Sequence, residues 1–252
     1  HGLTVPGSIE AAQRKKGFNK GLFEWLRRAP WGNPVFSGMF MSLVMFGFLG
    51  GITGVIMGTE QINIIMHNTL YVPGHFHATV VAGTTLTFMA VSYFLVPILF
   101  RRELWLPGLA KWQTYIYALG VAGISVFMMA AGTLGVSRRH WDNNFADATL
   151  GFDYPAAAHM FLALNGLSGL LAGLGGASFC IIMVGTILWG KKKGDVAATE
   201  PAPAPEPAVH QAGSAGSIAV PGTFVLALIF LGSFILYYYV NWKYLSEVWL
   251  LS

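Results

Sequence analysis

Hydrophobic positions in this chain gather into long continuous runs, separated by short polar breaks that carry nearly all the charge. The runs fall at 34–57, 68–99, 112–134, 156–189 and 220–241. At about 1.5 Å of helix rise per residue, each is longer than the ~30 Å hydrocarbon core of a bilayer. None shows the ten-residue alternation of a membrane β-barrel. The pattern predicts an all-α fold, a polytopic transmembrane helix bundle with five complete spans. Residues 1–16, HGLTVPGSIEAAQRKK, read as the end of a helix that lacks its beginning, a partial span at the N-terminus. The connector that follows, RKKGFNKGLFEWLRRAPWGN, is basic and amphipathic. Its Phe18, Leu22, Phe23, Trp25 and Leu26 suit a helix lying in the membrane interface with aromatic anchors. Residues 190–217 are rich in Pro and Ala and cannot build a core, so they divide the chain into a bundle at 1–189, a linker at 190–217 and a final helix at 218–252.

Composition agrees with a membrane setting. Hydrophobic residues make up 54% of the chain and charged residues 10%, outside the range of soluble domains. The net charge of +4 indicates no nucleic-acid partner, because loop topology accounts for it. On one side of the predicted spans lie Arg14, Lys15, Lys16, Lys20, Arg27, Arg28, Arg101, Arg102, Lys111, Lys191, Lys192 and Lys193. On the other lie Arg138, Arg139 and Lys243. This imbalance makes the first side cytoplasmic. Cys180 stands inside an apolar run as the one cysteine, so neither a disulfide framework nor a thiolate metal site is available. The stretch NGLSGLLAGLGGASF contains Gly169 and Gly173 at a spacing that lets helices approach closely, and His159 and Asn165 are expected to bond between helices.

Candidate chemistry concentrates in HNTLYVPGHFH, at the start of the second full run. Three histidines, His67, His75 and His77, stand where a lipid-facing helix would not tolerate them. His75 and His77 are two residues apart, which at about 100° per residue places them about 200° apart around a helix. One metal gripped from a helix wants ligands at i and i+4. The i, i+2 spacing aims the two imidazoles at separate partners, so two metal centres flanking one helix is the natural reading. Pro73 and Gly74 offer a break and a bare surface where a flat macrocycle could approach the backbone. On a helix running in from the outer face, His75 and His77 would lie roughly 12 to 15 Å from His67, in the outer half of the bilayer. Arg138 and Arg139, adjacent on the base-poor side, are suited to paired carboxylates.

HNTLYVPGHFH resembles the catalytic subunit I of haem-copper oxidases, most closely the B-family terminal oxidases. The resemblance implies the C-terminal part of a fold of twelve or more helices. It implies that His75 is the proximal ligand of a high-spin haem, that His77 is an axial ligand of a low-spin haem, and that Phe76 lies in the bridge between them. His67 would sit near the haem propionates, Arg138 and Arg139 would bond those propionates, and Thr4 would fall on a proton path. The cofactors implied are two haems and a copper. No His-His pair occurs here, the one His-x-x-x-Tyr is His67 to Tyr71 ahead of the His75 and His77 pair, and His1, His140, His159 and His210 are wrongly placed. Copper ligands and the second axial histidine are therefore expected outside this chain, in a missing N-terminal region or a separate polypeptide. The activity implied is reduction of oxygen to water with proton translocation, in a prokaryotic cytoplasmic membrane. Implied partners are a copper-containing subunit II and a donor such as cytochrome c or a quinol. Alternatives are a nitric oxide reductase of the same superfamily, with iron in place of copper, or a non-catalytic membrane scaffold or transporter.

Overall fold

The structure is a computed structural model that describes residues 4–139, 154–193 and 220–248. Most of the linker at 190–217 lies outside the described residues, as do His1, His140 and His210. The described helices are α1 (Thr4–Lys15), α2 (Glu24–Arg27), α3 (Pro34–Gly58), α4 (Glu60–Met66), α5 (Tyr71–Leu99), α6 (Pro107–Thr133), α7 (Ala156–Trp189) and α8 (Pro221–Val248). Five of them, α3, α5, α6, α7 and the Pro221–Val240 part of α8, are long and apolar enough to cross a membrane. Large apolar side chains on their outer faces are exposed, Leu170 by 69%, as expected where lipid rather than water is the solvent.

Helix boundaries follow local chemistry. Asn33 caps α3, its side chain accepting the amide of Val35 at 2.9 Å, and Pro34 occupies the first turn, where a missing N–H costs nothing. Thr59, in extended conformation, separates α3 from α4. Leu106 adopts a left-handed backbone immediately before Pro107 starts α6.

The centre of the bundle is the crossing of α6 and α7, and small residues make it possible. A β-carbon on Gly120 would fall 2.7 Å from the Cα of Ala172, and one on Gly175 would fall 2.8 Å from the Cα of Tyr117. Gly169 and Gly173, by contrast, face open space, so the GLLAG spacing is not the packing seam expected of it. Glycines pack where they meet a neighbour, and spacing alone does not tell which face of α7 does so. His159 is exposed, and the buried Oδ1 of Asn165 meets no partner among the described residues, so the expected bonds between helices are not made there either.

One end of the bundle collects the cationic residues. Tyr115 donates its hydroxyl to the Trp31 carbonyl at 2.7 Å, Gly32 lies against the Lys111 side chain, and Arg102 pairs with Lys192 through a backbone bridge. The connector between α1 and α3 is a set of turns in which the expected interfacial helix is confined to α2. Trp25 is fully buried and no lipid anchor: its indole donates to the Leu22 carbonyl at 2.8 Å, and α8 begins against it at Gly222. Glu10, also fully buried, accepts the amides of Gly222 at 3.0 Å and Thr223 at 2.6 Å, and pairs with Arg14 at 2.8 Å. The carboxylate thereby satisfies free N–H groups at the α8 N-terminus, where negative charge is favoured.

Candidate functional site

The chain enters α5 through a short non-helical link. His67 closes α4 with an extended backbone, and Asn68 has φ of 65°. This link pairs with the segment after α6. The amide of Leu70 donates to the Val136 carbonyl, and the amide of Arg138 to the Asn68 carbonyl, both at 2.8 Å. Arg138 also donates from its guanidinium to Asn68 Oδ1 at 3.0 Å. His67, Arg138 and Arg139 are thus brought to the same end of the bundle as the start of the histidine helix. Arg138 keeps a buried Nε that meets no acceptor among the described residues. A guanidinium with an unsatisfied buried edge is suited to a carboxylate. Arg139, with φ of 67°, is exposed.

His75 and His77 are both half-buried on α5, and each is held by its Nδ1. His77 Nδ1 lies 2.7 Å from the Pro73 carbonyl, an atom that can only accept, so this nitrogen carries the proton. His75 Nδ1 lies 2.8 Å from the hydroxyl of Thr53 on α3. That hydroxyl has one proton, and it lies 2.7 Å from the Leu49 carbonyl, which claims it. Toward His75 the hydroxyl therefore accepts, and Nδ1 again donates. Both rings are left with a bare lone pair on Nε2, the tautomer in which histidine binds a metal. Gly54 makes room beside the first ring, because a β-carbon there would lie 3.0 Å from His75 Cε1.

Backbone irregularity surrounds this pair. From His77 to Thr84, α5 widens into π-helical turns, and α3 does the same from Met45 to Gly50. The two widened segments face each other, with Gly50 against Thr79 and Gly83 against the ring of Phe46. The Gly83 carbonyl accepts the hydroxyls of both Ser42 and Thr87. Such segments occur frequently at functional sites.

Two expectations need correction, the axial distance from His67 and the bare surface at Gly74. His67 is exposed and caps the C-terminal end of α4, in the non-helical link before α5, so the axial distance to His75 cannot be counted along one helix. The surface at Gly74 is already taken by α6: a β-carbon there would lie 2.6 Å from Met129 Cγ, and Ser125 donates to the Gly74 carbonyl at 2.7 Å. No macrocycle can approach at that point. Phe76 is exposed by 53%, pointing away from the described bundle between the two histidines. Thr4 begins α1, exposed, its carbonyl accepting the Ser8 hydroxyl at 2.8 Å. Sequence reasoning missed Thr53, Gly54 and Asn68. Among the described residues no three His, Cys, Asp or Glu side chains cluster to hold a metal ion.

The family of cytochrome c and quinol oxidase polypeptide I matches residues 3–165, more than half of the chain, a range that includes His67, His75, His77, Arg138 and Arg139. The chain belongs to that family. Among its relatives is the cytochrome c oxidase subunit 1 of Thermus thermophilus, 36% identical over 177 residues, a match covering 67% of this chain and 29% of that protein. The cytochrome bo(3) ubiquinol oxidase subunit 1 of Buchnera aphidicola is 26% identical over 136 residues, covering 53% of this chain and 18% of that one. Among solved structures, the cryo-EM structure of a haem-copper terminal oxidase dimer superposes with a TM-score of 0.63 at 31% identity, covering 73% of this chain and 32% of that one. This subunit I family chain thus has part of the haem-copper oxidase fold and spans about 29% of the length of the Thermus relative. Family membership removes the unrelated scaffold or transporter reading.

Proposed function

We propose that this chain is the C-terminal part of a B-family-type terminal oxidase subunit I and supplies half of a two-haem site. In this reading His75 is the proximal ligand of the high-spin haem and His77 an axial ligand of the low-spin haem, with Phe76 between them. His67, Arg138 and Arg139 stand at the propionates, and Thr4 lies on a proton path. The observation that carries the reading is that both imidazoles are locked as Nδ1–H donors, each leaving Nε2 free to coordinate.

The bound haems and copper would supply electron transfer and the reduction of oxygen to water, coupled to proton translocation. What this chain's own residues do is orient and select. Thr53 and the Pro73 carbonyl set the tautomers of the two ligands, Gly54 clears space beside one ring, and the unsatisfied Nε of Arg138 awaits a carboxylate. Copper ligands and the second axial histidine come from the N-terminal part of subunit I or from a separate chain. A copper-containing subunit II and cytochrome c, or a quinol, complete the electron path. The setting is a prokaryotic cytoplasmic membrane with the cationic end of the bundle inside and the haem side outside.

The test is spectroscopic. Ligands serving separate centres fail separately, so His77→Ala is expected to abolish the low-spin spectrum of the purified complex while carbon monoxide still binds. His75→Ala is expected to do the reverse, sparing the low-spin band and losing carbon monoxide binding and turnover. A preparation without a pyridine haemochrome spectrum, or two mutants that lose the same spectral component, would end the two-haem reading.

A further inference from the structure

At the cationic end of the bundle, the connector between α1 and α3 forms a cleft of about 650 Å³ lined by Lys20, Phe23, Glu24, Arg27 and Arg28. We propose that this cleft binds the headgroup of an anionic phospholipid, its three cationic side chains receiving the phosphodiester. The proposal needs only that the chain lies in a membrane.

The cleft is built on a fixed frame. Trp25, fully buried, bonds back to Leu22 and lies against the start of α8, and Arg14 reaches the Gly21 carbonyl at 3.1 Å while paired with Glu10. The turn that carries the cations is therefore tied to two helices. The cations themselves are not neutralised. Arg14 is paired with Glu10, and Lys20, Arg27 and Arg28 are exposed with no carboxylate of a described residue in pairing range. Glu24 is the one acidic group in the lining, and its carboxylate accepts the backbone amide of Lys20 at 2.5 Å. Three cations against one carboxylate leave an excess of two positive charges.

The surroundings select a lipid as the source of the anion. Arg27 stands seven residues before Pro34, the first residue of a membrane span, and Leu22 beside the cleft is exposed by 42%. A headgroup held here would place its acyl chains along the outer surface of the bundle. Guanidinium groups bond phosphate through paired donors, and basic clusters next to a span attract anionic lipid.

The test uses the intact complex containing this chain, delipidated in detergent and then exposed to phosphatidylglycerol or phosphatidylcholine at equal concentration, with bound lipid counted by native mass spectrometry. Preferential retention of phosphatidylglycerol is expected, falling roughly fivefold for each charge removed in Arg27→Gln/Arg28→Gln. The matched control, Lys15→Gln/Lys16→Gln, removes two exposed charges from the same end but outside the cleft lining, and is expected to leave retention unchanged. An unchanged haem spectrum shows that both variants are folded. Equal retention of the two lipids would overturn the proposal. So would equal losses in the two variants, which would mean diffuse electrostatic attraction, or displacement of the lipid by an equal concentration of sodium phosphate, which would mean a site for free anions.

Discussion

A threonine hydroxyl 2.8 Å from an imidazole decides which nitrogen of His75 is available, and so reaches the chemistry without touching it. Removing that hydroxyl in Thr53→Val leaves a partly buried N–H unsatisfied, at a cost of about 1 to 3 kcal/mol, and frees the ring to turn. If His75 holds the haem iron as proposed, the expected outcome is a lowered iron–histidine stretching frequency in resonance Raman spectra, with Thr53→Ser restoring it, since serine retains the acceptor. A frequency unmoved by Thr53→Val would show that another group orients His75. At Arg138 the argument concerns an unsatisfied donor. If its buried Nε meets a haem propionate, Arg138→Gln loses a charge-assisted bond worth about 1.5 to 3 kcal/mol, enough to shift a haem midpoint potential without expelling the haem. Redox titration of Arg138→Gln and Arg139→Gln checks this, and unchanged potentials in both would remove the arginines from the site.

Between elements, close approach at particular glycines holds the bundle together. Gly120→Ala would drive a methyl group into the α7 backbone at Ala172, whereas Gly169→Ala would add one toward open space. The first is expected to lower the midpoint of thermal unfolding in detergent, with a penalty of about 1 to 3 kcal/mol, and the second to leave it unchanged or raise it slightly. Similar effects from both would mean that α6 and α7 cross elsewhere. This contrast marks what sequence can convey. The apolar runs located the spans to within a few residues at most ends, because bilayer thickness sets a minimum length that composition records directly. His75, His77 and the arginine pair stood out because charge and imidazole are costly in lipid and therefore conspicuous. Gly169 and Gly173 misled because a spacing carries no information about which face meets a neighbour. Thr53 was invisible because threonine in a membrane helix ordinarily bonds its own backbone, as this one does to Leu49, and its second bond goes to a residue 22 positions away.

At the scale of the whole molecule, the last helix is fastened to the first. Glu10 and Arg14 stand four residues apart on one helix face; the amides of Gly222 and Thr223 that Glu10 also serves lie more than 200 residues further on. Glu10→Ala would strip the α8 terminus of a cap worth about 1 kcal/mol and leave Arg14 without its partner, a loss on the order of 2 kcal/mol or more in total. The expected result is faster proteolysis at the start of α8 in the folded complex, with the absorption spectrum of the complex unchanged. Proteolysis at the wild-type rate would show that other contacts hold α8 in place.

The widened turns between His77 and Thr84 have a consequence for how this helix tolerates change. In a regular helix each added or lost residue rotates everything beyond it by about 100°, so the two ends of a long span are locked in phase. A π segment absorbs an extra residue locally. The stretch holding His75 and His77 therefore has an azimuth set independently of the stretch from Thr85 to Leu99 that packs in the bundle. Deleting one residue at Val80 or Val81 would tighten the segment to ordinary pitch and leave the lower half seated. The imidazoles would then keep their azimuth, with His75 still facing Thr53, because the residue removed is the one the widened turns had taken up.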